Sequence, residues 1–537
     1  MELHAALAKA LVDHGCDTVF GLVGDANLFI VDSYVREFGG RFVPATNEAN
    51  AALMAYGYAA TSGRVGVVTV THGPGLTNTF TALVEAVKAR TPLLLLCGDT
   101  DTADRYGPQV VFQRDLILPT GAGVEQVRAS DTALEDLAMA LRRAHLERRP
   151  VALNVPVEFL RREVAYAPRP LGVVEARPPA LDEDQLDAAA GIIASARRPV
   201  ILGGRGAAGA RKPLVQLAER IGAPVATSLG GKDLFRGDPF DLGIFGTLAS
   251  SAALEAIYQA DCVVAFGAGL NRYTTAMESL LEGKSVVQVD LDAARIGHFT
   301  SVDAAVVGDA AEAAEAISSM LDAAGVPGGT FRSAALAASL AAERRRPASP
   351  EGAAPVDVRD ALRMIDAAMA PDRTFVTDAG RYLASAWPLI HVEHPGAFVF
   401  TVNFGAIGTG VGSAIGAAYG RPGHPVLLVC GDGGLMLGGL AELSTAARLG
   451  LDLVVVVCND GAYGAEYVQL ASAGLPTGIS QFSWPALPPL ARALGLPAAS
   501  VRTSADWPAA LDLIAARSGP VLVDLVLDPD AMPDVTH

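Results

Sequence analysis

The sequence is poor in cysteine, in basic residues relative to acidic ones, and in long apolar stretches. Five cysteines, Cys16, Cys97, Cys262, Cys430 and Cys458, are spread over 537 residues. Four lie on or beside apolar runs and none has metal-ligand spacing. That pattern excludes a disulfide framework and points to buried thiols in a reducing, cytoplasmic compartment. Lys and Arg number 41 against 58 Asp and Glu, a formal charge of −17, which argues against nucleic-acid or anionic-membrane partners. No segment approaches the roughly 18 to 20 uninterrupted apolar residues of a spanning helix. The opening MELHAALAKALVDHG reads as an amphipathic helix with no basic leader or cleavage site, so no signal peptide is expected. What is there is 51% hydrophobic and 18% charged, a chain that buries a large core. At about 100–200 residues per domain, the length suits three to four domains.

Short apolar runs alternate with helix-like runs from end to end. Strands are predicted at Thr18–Gly21, Arg41–Pro44, Val65–Thr71, Pro92–Cys97 and Val151–Val155, then Pro199–Leu202, Val225–Thr227, Cys262–Phe266 and Ser285–Val289, then Thr374–Thr377, Val426–Cys430, Leu453–Cys458 and Pro520–Leu527. Such alternation predicts an α/β chain of three doubly wound parallel-sheet domains. Their bounds are set at 1–165, 182–340 and 356–530. Proline-bearing connectors, Ala165–Ala180 and Arg344–Pro355, separate them.

The most informative stretch is VLLVCGDGGLMLGGLAELSTAARLGLDLVVVVCND, residues 426–460. Two apolar strands flank a run with leucines at helical spacing. The first strand ends in Gly431-Asp432-Gly433-Gly434 and the second in Asn459-Asp460-Gly461. In a βαβ unit both turns fall on the carboxyl edge of the sheet, where open α/β sheets bind ligands. A hard cation such as Mg2+ takes oxygen ligands and keeps phosphates as partners. Asp432, the Asn459 side-chain oxygen and the Gly461 carbonyl supply such a set. Gly431, Gly433 and Gly434 let backbone approach a diphosphate at a helix N-terminus.

This pair of turns resembles the thiamin diphosphate motif of the superfamily that includes acetohydroxyacid (acetolactate) synthase, pyruvate decarboxylase, benzoylformate decarboxylase and benzaldehyde lyase. The resemblance covers the whole chain and implies a pyrimidine-binding domain, a central Rossmann-like domain and a diphosphate-binding domain. It implies thiamin diphosphate and Mg2+ as cofactors. It also implies a homodimer or homotetramer in which the two halves of the site meet across a subunit interface.

Several positions carry over. Glu48, opening an alanine-rich helix, matches the glutamate that hydrogen-bonds the aminopyrimidine, and an apolar site would raise its pKa for that proton exchange. Thr71-His72-Gly73-Pro74-Gly75-Leu76-Thr77-Asn78 is similar to a loop facing the thiazolium. There Gly73 allows close approach, Asn78 caps or orients, and His72 is a candidate for proton transfer or substrate positioning. Gln113 matches a glutamine near bound substrate. Gly405 and Ile407, in Asn403–Gly410, match the segment that accepts from the aminopyrimidine and props the cofactor in its bent shape. Gly380 and Tyr382 match a turn that donates to the diphosphate. Asp25 and Asn27, in the first strand–helix turn, read best as helix-capping residues.

The central stretch contains Gly204-Arg205-Gly206-Ala207-Ala208-Gly209 after a strand, a GxGxxG that is weak evidence for a dinucleotide when it stands alone. Acetohydroxyacid synthases bind FAD in this domain and related lyases keep the domain without it, so FAD stays a candidate. Gly269 stands where those synthases carry an arginine that places a second oxoacid, and Gln469 where they carry a tryptophan. The resemblance implies decarboxylation of a small 2-oxoacid and ligation of its acyl unit to an aldehyde or ketone acceptor, as in acetolactate synthase. A simple 2-oxoacid decarboxylase or aldehyde lyase is the alternative that His72 and Gly269 favour.

Overall fold

Runs of valine, leucine and isoleucine too short for helices become strands buried on both faces, the expected fate of parallel strands covered by helices. The computed structural model describes residues 1–173, 177–344 and 356–532. It contains three six-stranded sheets. The first holds β1 (Thr18–Gly21), β2 (Arg41–Pro44), β3 (Gly66–Val70), β4 (Leu93–Asp99), β5 (Gly123–Gln126) and β6 (Val151–Pro156) in the order β2-β1-β3-β4-β6-β5. The second holds β7 (Pro199–Gly203), β8 (Val225–Thr227), β9 (Asp241–Ile244), β10 (Cys262–Phe266), β11 (Ser285–Asp290) and β12 (Ala304–Val307) in the order β12-β11-β10-β7-β8-β9. The third holds β13 (Thr374–Thr377), β14 (Phe398–Val399), β15 (Val426–Gly431), β16 (Leu453–Asn459), β17 (Ala498–Val501) and β18 (Val521–Val526) in the order β14-β13-β15-β16-β18-β17. The parallel α/β reading of the sequence holds for all three sheets.

Every strand predicted from the sequence is present. Those it missed, β5, β9, β12, β14 and β17, each close one edge of a sheet. Edge strands are covered on fewer sides and tolerate polar residues, so they show no continuous apolar run. β9 and β12, for example, alternate buried and half-buried positions. The second predicted connector, beyond Arg344, lies outside the described residues. No described helix is long and apolar enough to cross a membrane. The five cysteines are free thiols, and burial pushes the Cys262 thiol up to about 12.

The chain forms two compact units. One contains the first and third sheets, and the other contains the middle sheet with Ala384–Phe398. In the first unit the helices Glu48–Ser62 and Gly410–Gly420 pack backbone to backbone. A Cβ at Gly416 would lie 1.8 Å from the Met54 carbonyl oxygen, and one at Gly57 would lie 2.0 Å from that of Ser413. Glycine at these contacts is what lets the two sheets share one core, in which Met54, Ala55, Ala414 and Ile415 are buried together.

In the second unit the GxGxxG turn follows β7, beside β10. Its glycines are used internally. Gly204 and Gly206 donate backbone N–H groups to the Phe266 and Gly267 carbonyls, at 2.8 and 3.1 Å. A Cβ on Gly204 would sit 2.1 Å from the Gly267 oxygen.

Gly416→Ala is expected to force the two helices apart and to cost about 1–3 kcal/mol, the usual penalty of overpacking. A urea or thermal melt of the variant against the parent checks this, and an unchanged midpoint would show the contact to be slack.

Candidate active site

The first and third sheets share one strand order, and each reverses direction between its first and third strands. That switch point leaves a crevice at the carboxyl ends. In the third sheet it lies between β13 and β15, and the predicted metal-binding turn follows β15. Gly431 pairs in register with Cys458 of β16, so the next residues, Asp432 and Asn459, stand side by side. Asp432 is 1% exposed and opens the helical turn Asp432–Gly434, which continues as a π-helical turn, Leu435–Gly439. Burial and the nearby Asp460 carboxylate push the Asp432 carboxyl up to about 7, against a hydrogen bond from the Trp484 indole to its Oδ2 at 2.7 Å.

Asn459 donates its amide to Asp524 Oδ1 at 2.9 Å. Asp524 is 1% exposed and takes the Ser500 hydroxyl on its other oxygen at 2.9 Å. Since a carboxylate only accepts, this bond fixes which end of the Asn459 amide faces Asp524 and turns its carbonyl oxygen the other way. Gly461 has φ +64. Its carbonyl accepts from the Phe482 N–H at 2.7 Å and keeps a second lone pair. Among the described residues no group of three or more His, Cys, Asp and Glu forms a metal cluster. The set here is instead one carboxylate with two neutral oxygens.

Acidic groups that the sequence reading passed over brace these turns. Asp378, 1% exposed, accepts from Ala379 N at 2.7 Å, Gly408 N at 3.0 Å and Thr409 Oγ1 at 3.2 Å. It thereby joins the turn after β13 to the start of helix Gly410–Gly420. Asp460 pairs with Arg381 at 2.7 Å, both nearly fully buried. Gly434 and Gly433 have no room for side chains because a Cβ would lie 2.9 Å from Asp378 and 2.6 Å from the Tyr463 ring. Protein packing, rather than ligand approach alone, therefore demands both glycines. Tyr382 is 3% exposed and its hydroxyl donates inward to the Asp378 carbonyl at 2.6 Å. The side chain is a brace, and only its backbone and that of Gly380 are left to face a diphosphate.

The remaining predicted residues cluster on the first sheet. Glu48 is half-exposed and begins helix Glu48–Ser62. Asn78 donates to its Oε2 at 3.0 Å. The apolar enclosure expected around Glu48 is not closed by the described residues of this chain. His72, at the end of β3, is 7% exposed, and its Nδ1 is buried without a hydrogen-bond partner among the described residues. Gly73 has φ +61 and donates its N–H to Gln113 Oε1 at 2.9 Å. Gln113 in turn donates to the Gly98 carbonyl at 2.9 Å and to Asn154 at 3.3 Å. Both ends of that amide are engaged, so Gln113 holds the His72–Gly73 turn. Asn27 binds Gly24 N at 2.8 Å and steadies its own turn.

Two carboxylates tie these clusters together along one chain. Glu442, fully buried, accepts from Thr46 N and Oγ1 at 2.7 Å each and from Asn47 N at 3.1 Å. Glu85, also fully buried, accepts from Asn403 N and Nδ2 at 3.1 and 2.6 Å and from Phe404 N at 2.7 Å. It holds the segment that carries Gly405, at φ +83, and the half-buried Ile407. Burial raises the Glu85 carboxyl, and these three donors oppose the rise. No hydrogen bond among the described residues joins Glu48 or Asn78 to the Asp432 group.

Family models cover the same three regions. The thiamine pyrophosphate enzyme N-terminal TPP binding domain matches residues 1–118, the central domain residues 186–317, and the C-terminal TPP binding domain residues 378–525. The chain belongs to the thiamine pyrophosphate enzymes. This thiamine pyrophosphate enzyme is 32% identical to the sulfoacetaldehyde acetyltransferase of Rhodobacter capsulatus, over 87% of this chain and 83% of that protein. It is 31% identical to a probable 2-ketoarginine decarboxylase of Pseudomonas aeruginosa, over 86% and 82%. It is 26% identical to the acetolactate synthase isozyme 1 large subunit of Escherichia coli, over 97% and 93%.

In this thiamine pyrophosphate enzyme Glu85→Gln is expected to set an amide N–H against the Phe404 N–H and to cost about 1–3 kcal/mol. A denaturant midpoint equal to that of the parent would show that the clamp on the Asn403–Gly405 segment is dispensable.

Proposed function

We propose that the enzyme removes CO2 from a small 2-oxoacid and transfers the acyl unit to an aldehyde or ketone, in the manner of acetolactate synthase. The observation that carries the site is the pair of turns after β15 and β16, where Asp432 is buried and Asn459 is oriented by Asp524. An all-oxygen donor set of one carboxylate and two neutral oxygens fits a hard divalent cation with diphosphate oxygens as its remaining partners. Asp432, Asn459 and the Gly461 carbonyl would hold Mg2+. The backbone of Gly431, Gly433, Gly434 and Gly380 would face the diphosphate. Bound thiamin diphosphate supplies the carbon nucleophile and the electron sink for decarboxylation.

The chain's own residues bind, orient and move protons. Glu48, steadied by Asn78, exchanges a proton between its carboxyl oxygen and the aminopyrimidine ring. The Gly405 carbonyl would accept from the pyrimidine amino group, and Ile407 would support the bound cofactor. Gln113 positions the Gly73 turn. Among the described residues nothing of its own chain encloses Glu48, which supports a homodimer, alone or within a homotetramer, in which a second copy completes each site. The domain bounds 1–165, 182–340 and 356–530 assign these tasks to the outer two domains and give the middle domain a structural role. Its GxGxxG N–H groups are spent on neighbouring carbonyls, so the purified enzyme is expected to be colourless. Absorbance in the flavin band would restore FAD to the site.

The alternative is a simple 2-oxoacid decarboxylase or aldehyde lyase. The buried, unpartnered Nδ1 of His72 favours it, because an imidazole free at one nitrogen can carry a proton to the acyl carbon in place of a second carbonyl. Pyruvate and other 2-oxoacids, assayed with and without an aldehyde acceptor, separate the two readings by acyloin formed against CO2 released alone. Glu48→Gln is expected to lower turnover by at least ~100-fold, the scale of a positioned acid–base group; near-normal rates would remove Glu48 from proton transfer. Exhaustive chelation is expected to abolish activity and Mg2+ to restore it. Full activity after chelation would dismiss the Asp432 cation site.

A further inference from the structure

We propose that Trp484 is a positioning residue for the Asp432 carboxylate: its indole N–H fixes one oxygen so that the other is presented to the divalent cation. The proposal rests on the reading of Asp432 as a cation ligand. Nε1 donates to Oδ2 at 2.7 Å. The indole is itself held by an aromatic stack. It stacks flat on Phe482, with centroids 4.7 Å apart and planes at 10°, and Phe482 meets Tyr463 edge-on at 4.7 Å. Tyr463 packs against Gly433, the residue after Asp432. The backbone is pinned as well. Phe482 N donates to the Gly461 carbonyl at 2.7 Å, Tyr463 N donates to Ser480 O at 2.8 Å, and Ala462 and Gln481 form an antiparallel bridge. The segment Ser480–Trp484 and the turn Gly461–Tyr463 thus form one unit that delivers a donor to a fixed point.

The chemistry of that donor matters. An indole offers one N–H and no acceptor, so it cannot ligate a cation and serves only the carboxylate. It is also neutral. A lysine or arginine in its place would orient Asp432 equally well but would cancel the negative charge that a cation needs. Partners of this kind typically alter metal affinity by about 10–100-fold when they are removed.

The test is a calorimetric Mg2+ titration of chelator-stripped full-length protein at fixed thiamin diphosphate. Trp484→Phe keeps the ring and deletes the donor. It is expected to raise the half-saturating Mg2+ concentration by about 10–100-fold, with the melting profile still cooperative. Trp484→His, which retains a donor, should recover part of that loss. The chain has three tryptophans, so the emission change on Mg2+ and cofactor binding should also shrink in Trp484→Phe. An unchanged or lower half-saturation point in Trp484→Phe would overturn the proposal. If Trp484→Phe does not fold, an unaltered half-saturation point in Phe482→Leu, which frees the indole from its stack, overturns it equally. Asp432→Asn separates the two layers. Loss of Mg2+-dependent cofactor binding there, beside wild-type behaviour in Trp484→Phe, rejects only the role of Trp484. Wild-type Mg2+ dependence in Asp432→Asn rejects the ligand reading and the proposal with it.

Discussion

The bond between Glu442 and the Thr46–Asn47 turn is the constraint on which the arrangement of this enzyme depends. One carboxylate, fully buried, collects three donors from the residues just before Glu48. Glu442 itself opens the helix that runs from the Asp432 turn toward β16. The two chemical ends of the chain, far apart in sequence, are therefore clamped at one point of one unit. A buried carboxylate with that many donors is costly to disturb, because Glu442 stripped of them would be a buried charge without compensation. Asn50 adds a second tie, donating to the Gly438 carbonyl at 2.7 Å. The glycine contacts between helices Glu48–Ser62 and Gly410–Gly420 then make the joint a packed surface and not a hinge.

The clamp fixes where Glu48 begins but not what it faces. Its side chain turns to Asn78, on the first sheet, while Asp432 looks into the crevice of the third. The identical strand order of these sheets explains the geometry. Each presents its own switch point and its own set of carboxyl-end turns, so one chain offers two crevices of different chemistry. A cofactor with a pyrimidine at one end and a diphosphate at the other needs both kinds. Rigid attachment of the two halves within a chain means that a second copy would bring its halves in the same fixed relation.

Much of this was legible in the sequence because parallel sheets write strong signals. Uninterrupted apolar strands, turns rich in glycine at their carboxyl ends and the Asp432/Asn459 pairing announce fold and site together. The edge strands were silent because an edge needs no continuous apolar run. The bracing acids were harder to read for another reason. Asp524 lies inside the strand Val521–Val526 and Glu442 between Ala441 and Leu443, where each looks like an interruption of a hydrophobic pattern. A lone acid inside a core element must have partners or be expelled, and that rule was a usable signal. Who the partners are was not, since Thr46 and Glu442 are brought together only by the fold. The protein partners of Gln113 and Tyr382 were hidden for the same reason. Polar side chains near a site look like ligand groups until their own backbone partners are known.

The buried acids around the third crevice divide by what holds them. Asp378 is satisfied by backbone N–H groups and a hydroxyl, Asp460 by a guanidinium, and Asp524 by an amide and a hydroxyl. Each spends its charge on shape. Asp432 differs. Its side-chain donor is a neutral indole, and burial together with Asp460 leaves its carboxyl raised to about 7, so its anion is poorly stabilised by the protein alone. On the proposed reading, a buried anion at the switch point, beside an amide oxygen that Asp524 holds in place, would be relieved by binding a divalent cation. The cost of burying that charge would then be converted into affinity for the cation.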